Sequence, residues 1–481
     1  MLFNSIPFLI FFPIVALLYF ITPVRLKTFC LLVASYFFYA CWHPVHLLLL
    51  LALTLLTYFG AFALQHFVRC RKMIFIVFLL ACFVPLFFYK YAIFVLSGFT
   101  PLLALASITI DSSALSFFLP LGISFYTFTA AGYLIDVYRH KTAPVRNFID
   151  YALFVSFFGT LVSGPIQRAD VFLPQLRNLP KFDCNRVKDG LLLIAWGLFQ
   201  KLVIADRLAI FVNEVYDHYY FYAGFTIAIA TIFYAFQIYC DFAGYSDVAI
   251  GVAQVLGIQL SINFRAPYFS FSVQEFWRRW HISLSTWFRD YIYFPLGGSR
   301  CSIPCKYRNL MITFLVSGLW HGAGLTYLVW GALNGFYQVV EDFLKRKNWM
   351  KPPVTRKQKA GAALFTFLLI DFSWLFFRAP SLQDAFSILK TMFSRFNPWV
   401  FFDGSLYRMG LNRTNFLLAV FLIIGLLVID YLRQRMNLRA KLAAQKIGLR
   451  WFVYYAAIFS IIIFGIYGSA FDASQFIYGN F

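Results

Sequence analysis

Three stretches carry side chains able to do chemistry. In SGLWHGAGLTYLVWGALNG (317–335), His321 stands among glycines with apolar residues on both flanks. An ionisable group in a membrane-buried segment is costly and by default functional. A neutral imidazole is also the side chain best matched to general-base work near pH 7. Asn334, on the far side of the HGAG bend, is placed to return on an opposite arm and orient a ring nitrogen. In QEFWRRWHISLSTWFRDYIYFPLGGSR (274–300), the spacing predicts a helix with Trp277, Trp280, Leu284, Trp287 and Tyr291 on one aromatic face. Arg278, His281, Ser285 and Arg289 follow a neighbouring face. Such a helix suits an interfacial anchor. Anchoring leaves His281 and the following PLGGSR unexplained, and arginines beside a histidine suit an anionic, phosphate-bearing thioester. In IYCDFAGYSDVAIG (238–251), Asp241 and Asp247 interrupt an apolar run beside Gly244. Intramembrane carboxylates pair with something, here expected to be arginines of 274–300, or else take part in binding.

Weaker signals complete the inventory. The chain ends FIYGNF, either an aromatic interface anchor or a tail presenting the Tyr478 phenol at an outer opening. His43 and His46 in WHPVH read as a turn at Pro44 rather than a metal pair, so no metal is expected. Cys301 and Cys305, in CSIPC, fall in a basic stretch expected in the cytoplasm, where disulfides are not expected. Two cysteines alone are also a weak zinc signal. There is no HExxH, phosphate-binding loop, dinucleotide fingerprint or nucleophile elbow, which removes most support for zinc-hydrolase, kinase and redox classes.

The elements that must position these residues are membrane helices. The 481-residue chain is 61% hydrophobic and 13% charged, against about a quarter charged in soluble domains. Apolar runs such as FLIFFPIVALLYFI and FLLAVFLIIGLLVI approach the roughly 20 residues that cross a bilayer. No basic residue precedes Arg25, so the first run reads as a retained span and not a cleaved signal. The net charge of +21 comes from clusters between spans, which the positive-inside rule explains without nucleic acid. Clusters at 24–27, 66–72, 138–146, 345–359 and 432–450 should be cytoplasmic, which puts both termini outside. The count is about eleven crossings plus short or broken pieces.

Basic residues from Arg265 to Arg308 and again from Lys345 demand the same side. The stretch 309–340 offers about 32 residues, short of the roughly 40 that two full spans need. The expectation is an in-and-back hairpin turning at HGAG, with a leading arm of about 12 residues rising about 18 Å. His321 would then sit near mid-membrane, at the end of a tunnel, because irregular backbone at that depth needs protein or a watery cavity around it. No internal repeat is visible. The chain reads as one membrane domain, 1–481, with the motif region at 238–335 and an extracytoplasmic cap at 379–413.

YCDFAGYSDVAIG, FWRRWHISLSTWFRDYIYFPLGGSR and SGLWHGAGLTYLVWGALNG together resemble the membrane-bound O-acyltransferases. The likeness is greatest to the bacterial branch of alginate O-acetyltransferases and relatives that acylate cell-surface polymers, which MLFNSIPFLIFFPIVALLYF also resembles. The resemblance implies an all-α polytopic fold, a ring of about eleven helices plus re-entrant and interfacial helices around a central tunnel. It implies a donor entering from the cytoplasm, acetyl-coenzyme A or an acyl-carrier thioester, with no bound cofactor. The histidine of its WHG motif is catalytic, which carries onto His321, and that of WRRWHIS carries onto His281. Asp241, Trp277, Arg278, Arg289 and Asn334 would shape the donor end. An extracytoplasmic partner of the SGNH type is implied, as is an acyl relay at Tyr478, although FIYGNF is less aromatic than the family tail.

The resulting expectation is an acetyltransferase of the bacterial inner membrane. It would move an acetyl group from a cytoplasmic thioester towards a hydroxyl of a surface or exported polysaccharide, alginate-like or peptidoglycan. Two alternatives stand beside it. One is D-alanyl transfer to teichoic acid from a carrier protein. The other is a transporter of lipid-linked sugars, which would predict internal repeats.

Overall fold

A computed structural model of the chain describes residues 1–105 and 119–467. All regular structure among them is helical. Among the described residues, six helices are long and apolar enough to cross a membrane: Pro44–His66, Arg71–Ala92 within a longer helix, Gly224–Leu256, Arg356–Arg378, Arg413–Arg433 and Ile447–Phe464. The chain is therefore a multi-pass membrane protein. The window in Ile447–Phe464 has 0% of its residues buried within the protein. Its exposed Phe452, Ile462 and Ile463 suit the apolar surrounding of a bilayer. Six is fewer than the eleven or so crossings expected, because the other helices are shorter or carry charges within their length.

The described residues form two compact units. The first comprises residues up to 194 together with 248–261. It contains α1 (Ile6–Ile21), α2 (Val24–Ala40), α3 (Pro44–His66), α4 (Arg71–Leu105), α5 (Ile123–Tyr138), α6 (Phe148–Ser156), α7 (Phe158–Leu161), α8 (Ala169–Leu176) and most of α9 (Cys184–Leu198). Aromatic packing and a few buried hydroxyls hold it. The Tyr151 hydroxyl donates to Thr57 Oγ1 at 2.6 Å, and the amide of Phe158 donates to Ser35 Oγ at 3.1 Å.

The second unit, residues 195–247 and 262–467 of those described, holds most of the motif residues. A π-helical turn, Phe199–Ala205, leads into α10 (Asp206–Asp217), and α11 spans Gly224–Leu256. Then come α12 (Val273–Arg279), α13 (Ile282–Phe288), α14 (Ile303–His321), α15 (Leu325–Arg346) and α16 (Arg356–Arg378). Last are α17 (Leu382–Ser394), α18 (Arg413–Arg433), α19 (Leu438–Ala443) and α20 (Ile447–Phe464).

Two departures from the sequence reading concern the motif helices. The expected single helix over 274–300 is broken: His281 adopts a left-handed backbone with φ of 42° between α12 and α13. A non-glycine residue there costs about 1–3 kcal/mol, so its surroundings must impose it. Asn263 does so. Its carbonyl accepts from the Ile282 amide at 3.0 Å and its side-chain oxygen from the Ser283 amide at 3.2 Å. These are orphan donors of the restarting helix, satisfied by a segment distant in sequence.

The hairpin at HGAG is present, but its arms are helices of 19 and 22 residues, longer than the 12-residue arm expected. They extend into the charged flanks because those charges pair: Lys306 Nζ on α14 lies 2.5 Å from Asp342 Oδ1 on α15. Glycines bring the arms into backbone contact. A Cβ on Gly318 would lie 2.3 Å from the Tyr327 carbonyl oxygen, and one on Gly331 2.4 Å from that of Phe314. The segment 379–413 is ordered around α17 and tied to 219–224: Gly224 N donates to Arg395 O at 2.8 Å, and the Tyr219 hydroxyl to Asp384 at 3.1 Å.

Candidate active site

His321 is the last residue of α14 and is 2% exposed. Its ring packs against Trp320, Trp330 and Phe377, with centroids 4.8, 5.0 and 5.2 Å away. His281, equally buried, meets Phe242 edge-on at 4.5 Å and the Trp320 ring at 6.2 Å. One indole thus touches both histidines, although the two lie in different motifs. Burial pushes the His281 imidazole well below its ordinary pKa, so it is neutral near pH 7. Further indoles extend the wall: Trp330 stacks on Trp374 at 5.8 Å, Trp280 lies 5.1 Å from Trp374, and Trp277 lies 5.7 Å from Trp330.

A cavity of about 630 Å³ opens beside this cluster, within the range usual for small-molecule sites. Trp277, Arg278, Arg289, Lys306, Ser317 and Glu341 are among its lining residues. Ser317 lies four residues before His321 on α14, so the two share a helix face one turn apart. Trp277 bridges to Trp330 and so to the His321 ring. The lining carboxylates are already engaged. Asp342 binds Lys306 at 2.5 Å and Arg346 at 2.7 Å, and Glu341 pairs with Lys345. Burial would raise the Asp342 pKa, but the bonds from Lys306 and Arg346 outweigh it and hold the carboxyl below its usual range. Arg289 leans on Asp290 at 2.8 Å. Arg278 is the lining cation with no ion pair found among the described residues. Arg side chains of this kind suit phosphate.

Of the residues singled out from sequence, Trp277, Arg278 and Arg289 line the cavity, and His281 and His321 flank Trp320 behind it. Asn334 does not orient His321. It accepts from Trp277 Nε1 at 3.2 Å and donates to the Trp330 carbonyl at 2.9 Å, so it fixes the indole wall. Asp241 is not among the cavity's lining residues, and its ion pair is not with the arginines of 274–300. Its partner is Lys201, at 2.6 Å, which also binds Asp206 at 2.7 Å. Asp247 likewise pairs elsewhere, with Gln200 at 3.0 Å and Arg433 at 3.8 Å. Tyr478 lies outside the described residues. Sequence reasoning missed Lys201, Ser317, Lys306, Trp374 and Phe377. For Lys201 a signal existed, since a lysine inside an apolar run demands a buried partner.

Comparison with known families matches residues 143–382 to MBOAT, the membrane-bound O-acyltransferase family. That range contains both histidines and every cavity residue named above. A Pseudomonas aeruginosa protein described as "Probable alginate O-acetylase AlgI" is 38% identical over 442 residues, 90% of this chain and 80% of its own length. A Helicobacter pylori peptidoglycan O-acetyltransferase is 35% identical, with 82% of this chain and 80% of the relative covered. A Streptococcus thermophilus teichoic acid D-alanyltransferase is 30% identical over 53% of this chain and 68% of its own length.

Proposed function

The chain belongs to the membrane-bound O-acyltransferase family, and from that premise we propose that it O-acetylates an exported or cell-surface polysaccharide. As a member of that family it is an O-acyltransferase. The O-acetylating relatives match 82–90% of the chain, whereas the D-alanyltransferase matches 53%, which favours acetyl over D-alanyl transfer. Family membership also favours transfer chemistry over transport.

The reading rests on one arrangement. Trp320 lies against both histidines, and His321 sits one helical turn beyond Ser317 of a cation-lined cavity. The donor, acetyl-coenzyme A or an acyl-carrier thioester, is a substrate whose phosphate groups Arg278, Arg289 and Lys306 would hold as charge-assisted hydrogen bonds. Its acyl end would reach past Ser317 and Trp277. His321 takes the proton from the attacking hydroxyl as its oxygen forms a bond to the thioester carbonyl carbon, and the thiol leaves. Alignment of both reactants in a walled site replaces much of the entropic barrier. The indoles that Asn334 fixes form that wall, and His281 completes it.

The finer topology follows the same reading. About eleven crossings would form a ring around a tunnel in the bacterial inner membrane, with the cavity on the cytoplasmic side and both termini outside. The acceptor would be the polysaccharide itself or an extracytoplasmic SGNH-type partner, with Tyr478 as a relay. Complementation of a deletion strain tests the function, with acetyl esters on the exported polysaccharide measured by NMR. Wild type restores the esters and His321→Ala does not. Esters restored fully by a well-inserted His321→Ala would refute the assignment.

A further inference from the structure

The CSIPC segment that leads into α14 is not absorbed by this account. Cys301 and Cys305 are half-buried free thiols four residues apart, Cys301 in the bend before α14 and Cys305 in its first turn. One side-chain nitrogen sits between them: Asn309 Nδ2 lies 3.6 Å from Cys301 Sγ and 3.8 Å from Cys305 Sγ. Cys301 Sγ donates to the Gly298 carbonyl at 3.5 Å and Cys305 Sγ to Asn309 Oδ1 at 4.0 Å. Arg308 Nη2 lies 3.3 Å from Cys305 Sγ. The thiolate is the reactive form of cysteine.

The surrounding backbone allows the pair to close. Gly297 and Gly298, with φ of 107° and 57°, precede Cys301 and give it a hinge. Asn309, fully buried, donates to the carbonyls of Leu296 at 2.9 Å and Gly298 at 3.2 Å, and so pins the same loop to α14. Ser299 and Lys306, which bracket the two cysteines in the chain, both line the cationic cavity.

We propose that Cys301 and Cys305 form a redox-active dithiol beside the cationic cavity, closing to a disulfide under a peroxide. The Cys305 thiolate attacks one peroxide oxygen and the O–O bond breaks, giving a sulfenic acid and, after protonation, one water. The Cys301 sulfur then displaces the second oxygen, which leaves as water with the thiol proton, and an S–S bond forms. Two thiols lose two protons and two electrons, and one peroxide becomes two waters. Closure needs the sulfurs to approach to about 2.05 Å, with Cα atoms about 4.4–6.8 Å apart. It therefore pulls Cys301 towards α14 and moves Ser299 with the hinge. In a reducing compartment such a bridge is transient and regulatory. Its effect on turnover rests on the donor reading of the cavity.

The test uses the full chain in nanodiscs, treated with hydrogen peroxide, alkylated and mapped by mass spectrometry. The expected result is one peptide carrying both cysteines two hydrogens lighter, unalkylated, and restored by dithiothreitol. Acetyl-coenzyme A cleavage should fall roughly tenfold on oxidation, about the loss of one charge-assisted hydrogen bond. It should recover on reduction and be insensitive to peroxide in Cys301→Ser and Cys305→Ser. Two alkylated thiols after peroxide, or a sulfenic acid that never closes, would overturn the dithiol. A disulfide that leaves cleavage unchanged would overturn its link to the cavity. Wild type that never cleaves the donor contradicts the donor reading instead, while the mapping still decides the dithiol.

Discussion

The second unit contains two groups of charge built on opposite plans. At the π-helical turn, Lys201 is held between Asp206 and Asp241 at 2.7 and 2.6 Å, and all three are almost fully buried. At the cavity, Arg278, Arg289 and Lys306 face open space, and the nearby carboxylates bind Lys306, Lys345 and Arg346 but leave Arg278 free of them. The first cluster matches one lysine with two carboxylates and so joins α10 and α11 to the π-turn. The second has cationic capacity left over for a ligand. The proposed donor site is therefore read from charge left unneutralised beside a cavity, not from buried charge alone.

That contrast yields graded consequences. The largest effect should follow Lys201→Met, which strands two buried carboxylates. Breaking one member of a buried ion group costs about 3–5 kcal/mol, so folded protein recovered in detergent should collapse. A normal yield and melting temperature would show the cluster is not structural. Next, Arg278→Ala should leave the fold intact and raise the donor KM by about ten- to a hundredfold, since bonds to charged groups contribute about 1.5–3 kcal/mol. An unchanged KM, with kcat lowered instead, would move Arg278 from binding to chemistry.

Asn334→Leu should be milder. It removes the bond to the Trp277 indole and should cost about 1–3 kcal/mol of stability. If Asn334 only fixes the wall, restoring its amide chemistry with Gln should not recover activity better than it recovers stability. The smallest effect belongs to the Lys306–Asp342 pair, which at a part-exposed position contributes about 0–1 kcal/mol. Its sign in pH is set: the Asp342 carboxyl titrates lower when folded than unfolded. The stabilisation is present above the unfolded value of about 4 and is lost as pH falls through the folded one. Lys306→Met should flatten that slope in acid melts.

Much of this was legible in the chain. Apolar runs between basic clusters specify a helical membrane protein, and basic residues on both sides of 309–340 specify the hairpin with His321 at its turn. The aromatic spacing of 274–300 suggested one continuous helix, because local periodicity carries no sign of Asn263, the distant residue that caps α13 and turns His281 inward. The partner of Asp241 was hidden for a similar reason. Lys201 sits in an apolar run, and only the π-helical turn aims it at α11. Ser317 and Lys306 gave no local signal, because their place on the cavity wall depends on how α14 packs against α12 and α15.

The central claim is that the cationic cavity delivers an acyl thioester to His321. It is tested most directly by the protein in nanodiscs with radiolabelled acetyl-coenzyme A, measuring donor binding and free coenzyme A separately for wild type and His321→Ala. The account predicts that His321→Ala binds the donor with wild-type affinity and releases no coenzyme A above the uncatalysed rate. Cleavage at the wild-type rate by a correctly folded His321→Ala would contradict it.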